Sequence, residues 1–86
     1  MSRRRRFVSD NQFYVVVGDR LSILRQARNL RQEDVANTVG VSRTSIVNIE
    51  SGKQTIDLLL AAKFATLYGI SVDAIAPKTS GLPDGS

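Results

Sequence analysis

The side chains that usually make and break covalent bonds are scarce in this chain. It has no cysteine and no histidine, which removes thiol nucleophiles, disulfides, most zinc sites and the commonest general base. No nucleophile-base pair, clustered metal ligands or phosphate-binding glycine loop can be read from it, so a protein without catalysis, metal or cofactor is expected. What remains is the chemistry of hydrogen bonding and charge. Arg3, Arg4, Arg5 and Arg6 form an unbroken run that carries the whole net charge of +4, the rest of the chain being neutral. Such a run on a balanced domain suits a phosphate backbone, and also suits a solubilising tail or another anionic surface. A second group, Arg43, Thr44 and Asn48, lies on a short helical period whose Ile46 and Ile49 point the other way.

These groups need a scaffold, and a chain of 86 residues holds one core and not two. Its pattern is helical throughout. Ser9 with Gln12 fits a capping box, and Phe13, Val16, Val17, Arg20, Leu21 and Leu24 then recur at helical steps to about Arg28. Gly18 and the β-branched run Val15, Val16, Val17 leave a rival reading, a short strand leading into a helix that starts near Gly18. Val35, Ala36 and Val39 mark a second helix ended by Gly40, and Ser42 caps a third that ends at Ser51-Gly52. A fourth runs from Ile56 or Asp57 to Tyr68 on Leu58, Ala61, Ala62, Phe64, Ala65 and Tyr68; Gly69 stops it, and Ser71 caps a last turn through Ile75. The expected fold is all-α, a compact bundle of about five short helices containing a helix-turn-helix. Residues 1–9 read as a flexible basic arm, 10–76 as the domain and 77–86 as a flexible tail.

The stretch Gln32 to Gly52, QEDVANTVGVSRTSIVNIESG, joins two short helices through a Gly40-Val41 turn and gives the second a polar outer face. It resembles the Xre/Cro-type helix-turn-helix family. The resemblance spans about Gln12 to Ile75 and rests on Leu24-Arg25 with Arg28, Gln32-Glu33 with Val35-Ala36, and Val39-Gly40-Val41-Ser42. It continues through Ser45-Ile46, Ile49-Glu50-Ser51-Gly52-Lys53 and Tyr68-Gly69-Ile70-Ser71.

The resemblance implies a DNA-binding domain whose helix from Ser42 to Ser51 enters the major groove, while the preceding helix crosses the backbone. By position, Arg43, Thr44 and Asn48, with Ser42 beside them, match residues that meet bases. Arg43 has the donors for guanine O6 and N7, Asn48 pairs with adenine N6 and N7, and Thr44 offers a methyl or a hydroxyl. Gln32 matches a phosphate holder, Ser51, Gly52 and Lys53 a phosphate-facing turn, and Arg25 with Glu50 a buried structural ion pair. Arg31 stands where relatives carry a Ser or Thr cap, which suggests a phosphate contact. Arg28 fits a phosphate contact and a solvated helix end equally. Val47 departs from the polar residue of many relatives, leaving a thymine methyl contact or no role.

Leu59, Leu60 and Leu67 add apolar residues beyond those the fourth helix needs for a core, which points to a contact surface, most simply a homodimer. The expected function is a dimeric transcription regulator, a repressor reading a palindromic operator on double-stranded DNA. An antitoxin that holds a toxin partner and represses its own operon is the alternative. No apolar run nears the roughly 20 residues that cross a bilayer, and the arginines precede no signal-peptide core, so a cytoplasmic protein without membrane contact is expected.

Overall fold

The computed structural model describes residues 10–78, and they form five helices: α1 Asp10–Ala27, α2 Gln32–Val39, α3 Arg43–Glu50, α4 Leu58–Tyr68 and α5 Val72–Ile75. The arm arginines, the Ser9 of the expected capping box and residues 79–86 of the tail lie outside the described residues.

Residues 15–17 are helical, which decides against the strand. Their intrinsic preference is overridden by burial: Val17 and Leu21 go into the core, with Phe13 and Leu24 packed against it, a spacing that only a helix places on one face. Gly18 belongs to the same face. A Cβ there would lie 2.8 Å from the Glu50 carbonyl oxygen and closer still to that of Ile49. The residue that weakens α1 as an isolated helix therefore lets its backbone rest on the last turn of α3.

The helix ends follow local chemistry. After Ala27 the chain turns at Asn29, a non-glycine residue at φ 56, and the Leu30 N–H bonds back to the Arg25 carbonyl at 3.2 Å, closing orphan carbonyls as a left-handed cap does. Gly40, at φ 82, ends α2 and begins the reversal into α3, a conformation that costs a residue with a Cβ more than it costs glycine. Ser42 Oγ accepts the Ser45 N–H at 3.0 Å, and Asp57 Oδ1 accepts the Leu60 N–H at 2.8 Å, so α3 and α4 both start on side-chain caps. Ser71 stands at the N-cap of α5, but its side chain makes no capping bond.

The core is built on Phe64, Leu21, Ile46, Ile49, Ile75, Val35 and Val39. α3 packs on both α1 and α2, α4 lies beneath α2, and α5 closes the bundle against α4 and α1. Two expectations for α4 are corrected. Leu58 and Ala62, expected in the core, are exposed, Leu58 by 77%, because Leu58 sits at the first position of α4 on the rim of an open groove and Ala62 faces outward. Leu60 and Leu67, expected as surplus surface, are half-buried against the core. The exposed apolar pair is Leu58 and Leu59, the latter at 65%.

Candidate nucleic-acid interface

α3 is eight residues long, or roughly 12 Å at 1.5 Å per residue, and a helix with its side chains is about 10–12 Å across, the width of a B-DNA major groove at about 12 Å. Ile46 and Ile49 anchor it at 0% and 1% exposure. Its opposite side carries Arg43, Thr44 and Val47, all exposed, with Asn48 half-buried beside them. The Ser42 hydroxyl is engaged by the cap and also donates to Ser45 Oγ at 3.2 Å, so its first task here is to start the helix. The turn after α3 is tightly built: Ser51 Oγ donates to the Asn48 carbonyl at 3.1 Å, and the Lys53 N–H donates to that same carbonyl at 2.8 Å. Gly52, at φ 79, lies so close to Val15 that a Cβ would sit 2.7 Å from its Cγ2. The turn that carries Ser51 and exposed Lys53 is thus held directly on α1.

Behind α3 lies a polar network that joins three helices. Arg25 Nε and one guanidinium nitrogen donate to the two carboxylate oxygens of Glu50 at 2.8 and 3.1 Å, and its other nitrogen donates to the Leu30 carbonyl at 2.8 Å. The side chains are 14% and 7% exposed. The hydrogen bond from Arg25 to Glu50 raises the arginine's pKa, with burial opposing it. Gln32 Nε2 donates to Glu50 Oε1 at 3.2 Å, so the amide at the start of α2 is oriented by the ion pair. Spacing gave no sign of that link between Gln32 and Glu50.

Arg31 has no acceptor and cannot cap α2 as Ser or Thr would. The Asp34 carboxylate supplies what is missing, accepting the Arg31 backbone N–H at 2.9 Å and its guanidinium at 3.0 and 3.2 Å. Arginine's hydrogen bond holds the Asp34 carboxyl below its usual range. An acidic residue three positions after the cap is the signal that reveals such a start. Arg31, Gln32 and Arg43 come together with Arg25 and Glu33 around one open polar cleft between the first turns of α2 and α3.

Arg28 is drawn elsewhere. Its guanidinium donates to the Leu24 carbonyl at 2.9 Å and the Tyr68 carbonyl at 2.6 Å, and sits 5.2 Å over the Tyr68 ring. It thereby ties α1 to the C-terminal end of α4 while the residue itself stays exposed, an internal contact that neither expected reading included. The Tyr68 hydroxyl is buried without a hydrogen-bond partner among the described residues; burial, then the nearby Glu50 charge, push its pKa to about 12, with Arg25 and Arg28 pulling the other way. Arg20, read from sequence only as a helix position, donates to the Ile75 carbonyl at 3.4 Å and ties α1 to α5. Leu59 stands apart from this cleft, on the α4 side. Among the described residues there is no cluster of side chains that could hold a metal ion, and no helix is long and apolar enough to cross a membrane.

Residues 21–75 match the family model described as helix-turn-helix, and that span contains α2, its turn and α3 whole. The chain belongs to the Xre/Cro-type helix-turn-helix family. It is 42% identical over 57 residues to an uncharacterized HTH-type transcriptional regulator of Methanocaldococcus jannaschii, covering 66% of this chain and 86% of that protein. It is also similar to the cryptic phage CTXphi transcriptional repressor RstR of Vibrio cholerae, at 39% over 49 residues, 57% of this chain and 44% of the repressor. Among solved structures, the restriction-modification controller protein C.AhdI of Aeromonas hydrophila superposes with a TM-score of 0.68 at 32% identity, covering 72% of this chain and 94% of that one. Hydroxypropylphosphonic acid epoxidase of S. wedmorenis carries the same fold at 18% identity in about a third of its length, a likeness of fold alone. The fold therefore occurs within an enzyme chain, and function has to be argued from the residues of the site.

Proposed function

We propose that this protein represses transcription by occupying a palindromic operator as a two-fold dimer, with α3 of each copy in the major groove. Membership of the family makes the chain a DNA-binding transcription regulator. The finer reading rests on one observation above the others: α3 turns its isoleucines into the core and leaves Arg43, Thr44 and Asn48 outward beside the polar cleft of Arg31 and Gln32. In that arrangement Arg43, Thr44 and Asn48 read base edges, with Ser42 fixing the start of the helix, while Gln32, Arg31, Ser51 and Lys53 hold phosphates and set the register. Arg31 can keep its bonds to Asp34 and still donate to a phosphate, since one guanidinium has donors for more than a single carboxylate.

Dimerisation follows from scale. A helix of eight residues reaches three or four bases, and the family's docking geometry doubles that by pairing half-sites about one helical turn apart. The exposed Leu58, on an apolar groove of Phe13, Tyr14, Ala61, Val72 and Ile75, and the exposed Leu59 next to it in the chain supply the proposed contact, with Leu60 and Leu67 half-buried on the same helix.

The test is footprinting on the DNA flanking the protein's own gene, followed by titration of Arg43→Ala. A protected site with two-fold symmetry is expected, and Arg43→Ala should weaken specific binding by about 1–3 kcal/mol and relax one base preference per half-site. Equal loss on operator and random DNA would refute the base contact, and an asymmetric footprint of a single half-site would refute the dimer.

The arm gives a separate prediction. Four consecutive arginines precede α1 in the sequence, enough charge to neutralise several phosphates. Deleting Ser2 to Arg6 should weaken binding by roughly tenfold at moderate salt and flatten the slope of log K against log salt by about 2–4 units, at about 0.9 per phosphate. Superimposable salt titrations of the two proteins would assign the arm to solubility instead.

A further inference from the structure

We propose that Val47 selects a thymine in each half-site by packing on its C5-methyl group. This rests on the reading of α3 as the helix that enters the major groove. Large apolar side chains are exposed at Val15, Ile23, Val47, Leu58 and Leu59, and of these Val47 alone belongs to α3. It is 38% exposed, and its place is central. At 3.6 residues per turn it follows Arg43 and Thr44 by one turn and precedes Ser51 by one turn, so it stands in the middle of the outward face.

The chemistry of the groove decides what can lie opposite. Base edges there present acceptors at N7, O6 and O4, donors at N4 and N6, and one apolar group, the thymine C5-methyl. Valine has no donor or acceptor. Against a carbonyl or amino edge it would displace water and return no hydrogen bond, leaving a desolvated polar group unpaired. Against a phosphate the mismatch is the same. Against the thymine methyl, both partners leave water with nothing polar stranded. The β-branch holds χ1 in one strongly preferred rotamer on a helix, so the two methyls are presented in a fixed direction at little entropic cost. The same geometry accepts 5-methylcytosine, which carries a methyl at the equivalent ring carbon.

The experiment uses the full chain and the footprinted operator. Each thymine of a half-site is replaced in turn by 2′-deoxyuridine, which lacks only the methyl, and binding of the wild type is compared with that of Val47→Ala. At one position per half-site the wild type should lose about fourfold, the worth of one methyl taken from water, while Val47→Ala binds the two duplexes equally. A C·G pair at that position should regain affinity when the cytosine is 5-methylated, for the wild type only. A thermal melt confirms that Val47→Ala is folded, as its place outside the core requires. A deoxyuridine scan that affects both proteins alike, or a half-site without thymine, overturns the proposal. If Arg43→Ala still relaxes a base preference in that case, the thymine contact alone has failed; if Arg43→Ala leaves every preference unchanged, the placement of α3 has failed and Val47 with it.

Discussion

Gly18→Ala should lower stability by about 1–2 kcal/mol net, although the substitution improves the intrinsic helicity of α1. Two effects of opposite sign compete. Alanine is favoured over glycine inside a helix by roughly 1 kcal/mol. Against that, the new Cβ meets the Ile49 and Glu50 carbonyl oxygens, the latter at 2.8 Å. Both obstacles are backbone atoms at the end of a packed helix and have no rotamer to change. Relief requires α1 and α3 to separate, and overpacking of this kind costs about 1–3 kcal/mol or more. The clash should win, because separation also loosens Val17 and Leu21 in the core. For a domain of this size a loss of that order lowers the melting temperature by roughly 4–16 °C. A Gly18→Ala protein that melts above the wild type would show that propensity had won and that the helices were free to part.

That contest shows where the sequence was legible. Hydrophobic spacing, turn glycines and Ser or Asp caps are local signals, and they located five helices and the all-α class, with α2 and α3 starting and ending near Gln32, Gly40, Ser42 and Ser51. Gly18 and the valine run misled by the same local logic. Their reason lies in α3, some thirty residues along the chain, and no window centred on α1 contains it. Leu58, Leu60 and Leu67 failed differently. Helical periodicity tells which face a residue occupies but not whether a neighbour reaches over it, so it places Leu58 in the core although that first residue of α4 stays 77% exposed. Leu60 and Leu67 were counted as surplus although neighbouring elements partly cover them.

The polar residues of the site divide along a similar line. The outward position of Arg43 and Thr44 follows from their spacing against Ile46 and Ile49. What the long side chains bind does not follow from spacing, since a guanidinium reaches any acceptor within its arc. Arg28 lies on Tyr68 and Arg31 on Asp34, acceptors within reach of each guanidinium.

Arg25→Ala should cost about 3–5 kcal/mol, the loss that follows when one partner of a buried ion pair is removed. The intact pair adds little net stability, because both charges lose water on burial. Its removal on one side is another matter. Glu50, 7% exposed with its partner in place, would be left with only the neutral Gln32 amide as a side-chain partner, and the Leu30 carbonyl would lose its guanidinium donor. A double-mutant cycle separates this from lost packing: Arg25→Ala with Glu50→Ala should cost clearly less than the two single changes added, with a coupling of about 0.5–3 kcal/mol. Additive costs would mean that the pair contributes only bulk. The consequence reaches the proposed DNA contacts through Gln32, whose amide is turned by Glu50 toward the ion pair at the mouth of the cleft. Where Arg25→Ala remains folded at low temperature, its binding should weaken to a similar degree on operator and random DNA, because a misplaced phosphate holder shifts affinity without touching base preference. A change in preferred base would instead tie Arg25 to α3 itself.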